Sequence, residues 1–149
     1  MHRTSVLLSM LLLAALPAVT AAASEPASAL ARHAAPADAA VYIISPEDGA
    51  TVARKFTVRF GLKGMGVAPA GVDKPGTGHH HLLIDVDALP PGNMPIPADP
   101  QHIHFGGGQT ETTIELAPGT HTLQLDLGDA NHMQFQPPLV SQRITVHVK

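Results

Sequence analysis

From Val41 to Lys149 the apolar residues come in short alternating runs, and proline, glycine or aspartate stops each run within a few positions. Successive side chains of a strand point to opposite faces, whereas a helix repeats every three or four residues. The pattern therefore asks for strands. "KFTVRFGL" sets Phe56, Val58 and Phe60 against Thr57, Arg59 and Gly61, and "THTLQLDLG" lines up Leu123, Leu125 and Leu127. "QRITVHVK" does the same with Ile144, Val146 and Val148, while "SPEDGAT" after "VYII" carries turn chemistry. With 14 prolines and 13 glycines in 149 residues, a long helix would be broken wherever it began.

The expected fold is all-β, a single immunoglobulin-like β-sandwich of about seven strands over residues 41–149. Those strands are expected near residues 41–44, 55–62, 79–87, 102–105, 110–116, 120–128 and 142–149. Two long connections, "KGMGVAPAGVDKPGTG" and "ALPPGNMPIPADP", interrupt the spacing. Loops of that length in a small domain are usually functional or mobile.

The N-terminus has another character. A short basic start, an apolar run from Val6 to Val19 and Ala21-Ala22-Ala23 have the layout of a secretory signal peptide over residues 1–23. The run is too short for a span, which takes about 20 residues. Residues 24–40, rich in Ala and Pro, are expected to be a flexible linker. The product is expected to be periplasmic or secreted, monomeric and without a membrane span. With no cysteine it has no disulfides, so its core must suffice.

Composition excludes some functions. Removing Arg3 with the leader leaves eight basic against twelve acidic residues, so there is no basic patch for nucleic acid. One tyrosine, four phenylalanines and no tryptophan supply few stacking platforms. Histidine is the anomaly, with nine copies after the leader.

Parity sorts these histidines. In "TGHHHLLIDVD", His80 shares a face with Leu82, Ile84 and Val86 and points to the core, as His121 does with Leu123. A buried or half-buried, backbone-bonded imidazole is the ordinary reading for both, and His147 reads as solvated. His79 and His81 lie on the other face, and His102 and His104 repeat the His-x-His spacing in "QHIHF". Two imidazoles on one strand face can reach one ion. If "HIHF" is a short fourth strand, the loops carrying His79, His104 and "GDANHMQF" emerge at one end of the sandwich.

The candidate metal ligands are therefore His79, His81, His102, His104, His132 and Met133. Thioether from Met133, Met94 or Met65 would suit copper, and imidazole alone would suit zinc or nickel. Asp129 reads as an oxygen ligand, a group orienting a histidine, or a turn residue after Gly128. "FGGGQTE" allows close backbone approach or a tight hairpin, and it is no phosphate loop because no Lys-Ser/Thr and no helix follow.

The wording and order of "KGMGVAPAG", "TGHHHLLID", "HFGGGQTE", "PGTHTLQLDLGDANH" and "PPLVSQRITVHV" resemble the bacterial family catalogued as domain of unknown function 4399. The resemblance covers about residues 41–149 and implies an exported, single-domain, Ig-like β protein. It implies no activity and no site residues. The His-to-Met spacing of small periplasmic copper chaperones is not reproduced, since "NHM" puts the two side by side.

Two functions fit these observations best: a metal-binding module taking copper or zinc at one rim, or an envelope adaptor whose histidines hold loops that recognise a protein or glycan. Catalysis has little support, since Gly-x-Ser-x-Gly, His-Glu-x-x-His and any cysteine nucleophile are absent. Asp85 and Asp87, on the parity of His81, read as solvated carboxylates.

Overall fold

A computed structural model describes residues 31–149. The expected signal peptide, residues 1–23, and residues 24–30 of the expected linker lie outside the described residues. The chain is all-β, with nine strands in two sheets among the described residues.

The smaller sheet runs β1 (Ala40–Ser45), β3 (Lys55–Lys63), β7 (Glu111–Glu115), with both pairings antiparallel. The larger sheet, which curls into a half-barrel, runs β2 (Ala50–Val52), β9 (Ile144–Val148), β8 (Gly119–Gly128), β5 (Thr77–Ile84), β4 (Gly66–Val67). β6 (His102–His104) pairs with β5 further along the edge that β4 begins. β2 with β9 and β4 with β5 are parallel pairs.

The apolar alternation becomes the core as the pattern requires. Val58, Phe60 and Ile114 from the smaller sheet meet Leu82, Ile84, Leu123, Leu125, Leu127, Ile144 and Val146 from the larger. Burying each such side chain contributes roughly 1.5–3 kcal/mol. No helix among the described residues is long and apolar enough to cross a membrane.

The structure differs from the expected strands in three places. β2 and β4 are additional, and at three and two residues they are too short to show a period. "HIH" pairs with β5 rather than joining the sheet of β1, β3 and β7. The histidine strand stops at Ile84 because Asp85 takes a left-handed φ of 54°, so Asp85 and Asp87 leave the face of His81. Asp85 instead accepts hydrogen bonds from the Thr122 N–H (2.8 Å) and pairs with His121 Nδ1 (2.7 Å), while His121 Nε2 lies 2.9 Å from the Ala117 carbonyl. His121 is thus the half-buried, bonded imidazole that its parity indicated, and His147 is exposed.

Residues 32–36 of the expected linker lie against the domain. The Ala35 N–H donates to the Gln136 carbonyl (3.0 Å), and the Gln136 N–H donates to that of His33 (2.8 Å). Arg32 donates to the carbonyls of Gln134 (3.0 Å) and Phe135. This strap holds the loop between β8 and β9.

Candidate metal centre

β5 is buried on both faces. His80, Leu82 and Ile84 face the inter-sheet core, and His80 packs on Phe60 with ring centroids 5.2 Å apart. His79, His81 and Leu83 point the other way and are also buried, at 0%, 0% and 1% exposure. The face that parity sets opposite the core is therefore not open to solvent at His79 and His81: loops cover it. Ile96 from the β5–β6 connection and Met133 from the β8–β9 connection are buried outside the main core, and the Ile96 N–H donates to the His132 carbonyl at 2.8 Å.

Register brings the next ligand candidate in. His81 lies opposite His104 on β6, and His102 lies opposite Leu83, one row further on. The loop after β8 supplies His132. Asp129 fixes that loop: its Oδ1 accepts from the N–H groups of Asn131 (2.8 Å) and Met133 (2.9 Å), and its carbonyl accepts from that of His132 (2.9 Å). His132 sits at φ 63°, a conformation rarely adopted without such support. Asp129 Oδ2 pairs with His33 Nδ1 at 3.0 Å, so the strap reaches this turn as well. Of its three readings, Asp129 takes the turn role, and through the turn it positions a histidine.

The four rings converge. Centroids are 4.9 Å apart for His79–His81, 5.0 Å for His79–His104 and 5.1 Å for His81–His104. His132 stands 5.0 Å from His79, 4.7 Å from His104 and 6.0 Å from His81. One nitrogen each from His79, His81 and His104 forms a set within 4.8 Å, and Nε2 of His104 and His132 are 3.2 Å apart. Nitrogens sharing one tetrahedral ion at 2.0–2.1 Å stand roughly 3.3 Å apart. The His104–His132 pair, hydrogen-bonded ring to ring, stands near that spacing, and the nitrogens of His79, His81 and His104 lie within 4.8 Å of one another.

Two glycines make room for the rings. A Cβ at Gly106 would come within 2.3 Å of His104 Cε1, and one at Gly128 within 2.8 Å of His81 Cε1. Any side chain at either position would push a ring aside.

The charge state suits ligation. Burial, helped by repulsion from His132 and His104, lowers the His79 pKa from 6.5 to about 4, although Asp129 opposes the shift. Burial, then His79, His104 and His132, lowers His81 to about 2. Burial followed by His132 also lowers His104. These rings are neutral near pH 7 and keep a lone pair for a cation. Neither nitrogen of His79 or His81 has a hydrogen-bond partner within the protein. An unpaired buried polar group costs about 1–3 kcal/mol, so four of them on one face call for a ligand.

The remaining candidates sit elsewhere. His102 Nδ1 bonds Asp99 Oδ1 at 2.9 Å, and the rings that pack together are those of His79, His81, His104 and His132. Met133 is buried in the loop that carries His132, Met94 is exposed, and Met65 packs against the main core. A cavity of about 180 Å³ opens beyond Asp129, lined by His33, Met65, Val72, Lys74 and Phe135 among others, and none of the four clustered histidines borders it.

Asp126 escaped the sequence reading. It is fully buried opposite His81, and burial pushes its carboxyl up to about 6 against the opposing effects of a Gln134 hydrogen bond, Arg32 and His102. Its signal was a lone carboxylate between Leu125 and Leu127, which looks like an ordinary solvent-facing position until the loops are in place.

His79, His81 and His104 form a three-histidine group that could hold a metal ion. Comparison with curated proteins and with solved structures found no match. The model of the domain of unknown function DUF4399 matches residues 58–149, a span holding every histidine of the cluster, and the chain belongs to that family.

Proposed function

We propose that this protein is an exported, non-catalytic binding module for one transition-metal ion, held by His79, His81 and His104 with His132 completing the set. The observation that carries this reading is the buried pair His79 and His81, whose four ring nitrogens lack partners beside the donor of His104. An ion takes one nitrogen from each ring and removes part of that cost. With imidazole as the only clustered donor type, the set suits copper(II) and zinc, and intrinsic affinity favours copper over zinc.

The strand order also supports an immunoglobulin-like description. One sheet of three strands faces a second in which β2 runs parallel to β9 and the order continues through β8 and β5. The leader-like N-terminus is the basis for placing the monomeric protein in the periplasm or outside the cell.

Calorimetric titration of the untagged protein with zinc and with copper tests the reading. Binding of a single ion, abolished in the His79→Ala/His81→Ala double variant, is the expected result. Undiminished binding in that variant would place the ion elsewhere, and a wild-type protein that takes no metal would leave the histidines as a structural network.

A further inference from the structure

Once an ion occupies one nitrogen of a neutral imidazole, the other nitrogen carries a proton that needs an acceptor. For His81 that acceptor must lie in the buried layer, because the ring is fully enclosed, and the backbone carbonyl of Asp126 approaches the ring without reaching hydrogen-bond geometry. Two side-chain oxygens on this face of β8 have no partner, Asp126 Oδ1 and Gln124 Oε1. Gln124 lies opposite Leu83, whereas Asp126 lies directly opposite His81. The other oxygen of Asp126 is tied down by Gln134 Nε2 at 2.6 Å, which holds the carboxylate in place and leaves Oδ1 available. Opposite His79 stands Gly128, which has no side chain to offer.

We propose that Asp126 is a positioning residue of the metal centre, accepting a hydrogen bond from the ring nitrogen of His81 that does not bind the ion. This rests on the metal-binding reading above. The arrangement runs across three strands: the ring of His104 on β6, the ring of His81 on β5 and the carboxylate on β8 share one row. A carboxylate there orients the imidazole, strengthens it as a ligand and supplies negative charge to a buried cation. It also accounts for a buried carboxylate that has no cation bonded to it.

Zinc alone is the probe. Affinity of the full mature chain is measured by competition with a chromophoric chelator for wild type, Asp126→Asn and Asp126→Ala, and the metal-free melting temperature of each reports folding. Asp126→Ala is expected to weaken zinc binding about 10- to 100-fold, with a smaller loss in Asp126→Asn, whose amide oxygen still accepts. Nitrogen-15 spectra of the zinc-loaded rings supply a readout that a merely structural role does not move. A protected, strongly shifted N–H on His81 is expected in wild type and is lost in Asp126→Ala. Should Asp126→Ala fail to fold, the near-isosteric Asp126→Asn decides. Wild-type affinity in the folded variants, with the His81 N–H unchanged, overturns the role of Asp126 and leaves the metal centre standing. A wild type that binds no zinc overturns the metal centre itself, and the role of Asp126 with it.

Discussion

The two faces of β5 bury the same residue type for different ends. On the inner face a single imidazole, His80, lies among Leu82, Ile84 and Phe60, with no hydrogen-bond partner for either nitrogen. Burial lowers its pKa to about 4, and the backbone of Gln109 and Gly61 approaches without reaching hydrogen-bond geometry. On the outer face His79 and His81 meet His104 and His132, with Asp126 in the next strand. Burial is equal on both sides, so burial alone does not mark a site. Convergence of several donors does.

The largest expected effects break this comparison directly. His79→Ala/His81→Ala should weaken metal binding by at least about 100-fold by titration, since two ligands are lost. His80→Leu should leave affinity within about twofold and stabilise the metal-free protein by about 1 kcal/mol in denaturant unfolding, because it removes two unpaired buried nitrogens. A metal affinity that falls with His80→Leu would show that the two faces act as one site.

Next come changes that move a ring without removing it. Gly106→Ala places a Cβ against His104 and Gly128→Ala places one against His81. Each should weaken binding about tenfold and cost about 1–3 kcal/mol of stability. Equal affinity in both variants would mean that these rings shift freely and are not held for a ligand.

Acidification tests the buried neutral rings. Folded-state values of about 4 for His79 and His80 and about 2 for His81 lie below the unfolded 6.5, so the unfolded chain binds protons first as pH falls. That stability is fully present above pH 6.5 and is lost as the pH drops toward 4. Asp126 acts in the opposite sense: its folded value of about 6 exceeds the unfolded 3.8, so it returns part of the loss between those limits. Three rings outweigh one carboxyl, and the metal-free melting temperature should fall steadily between about pH 7 and pH 4.5. A flat profile would indicate that the histidines are accessible to water.

The smallest effects concern the surroundings. Arg32→Ala should cost about 1 kcal/mol by loosening the strap on the β8–β9 loop, with an affinity change of only a few-fold. His102→Ala should leave affinity unchanged, since that ring bonds Asp99.

Much of the inner architecture was legible. Alternation in "KFTVRFGL", "THTLQLDLG" and "QRITVHV" specified the strands that form the core, because burial on one face imposes a period of two. Parity also separated His80 from His79 and His81. It could not separate His102 from His104, which share a face; only the register of β6 against β5 does that. Nor could it show that the second face of β5 is buried, since the cover comes from Pro-rich connections with no period of their own. Asp126 was missed for the same reason, and β2 and β4 were too short to leave a pattern.

Metal content of the untagged protein, measured by elemental analysis after gel filtration, tests the central claim most directly. About one equivalent of zinc or copper per chain is predicted, and it should be absent from the His79→Ala/His81→Ala variant purified alongside. A wild-type protein that carries only trace metal, and whose melting temperature does not move when zinc or copper is added, would contradict it.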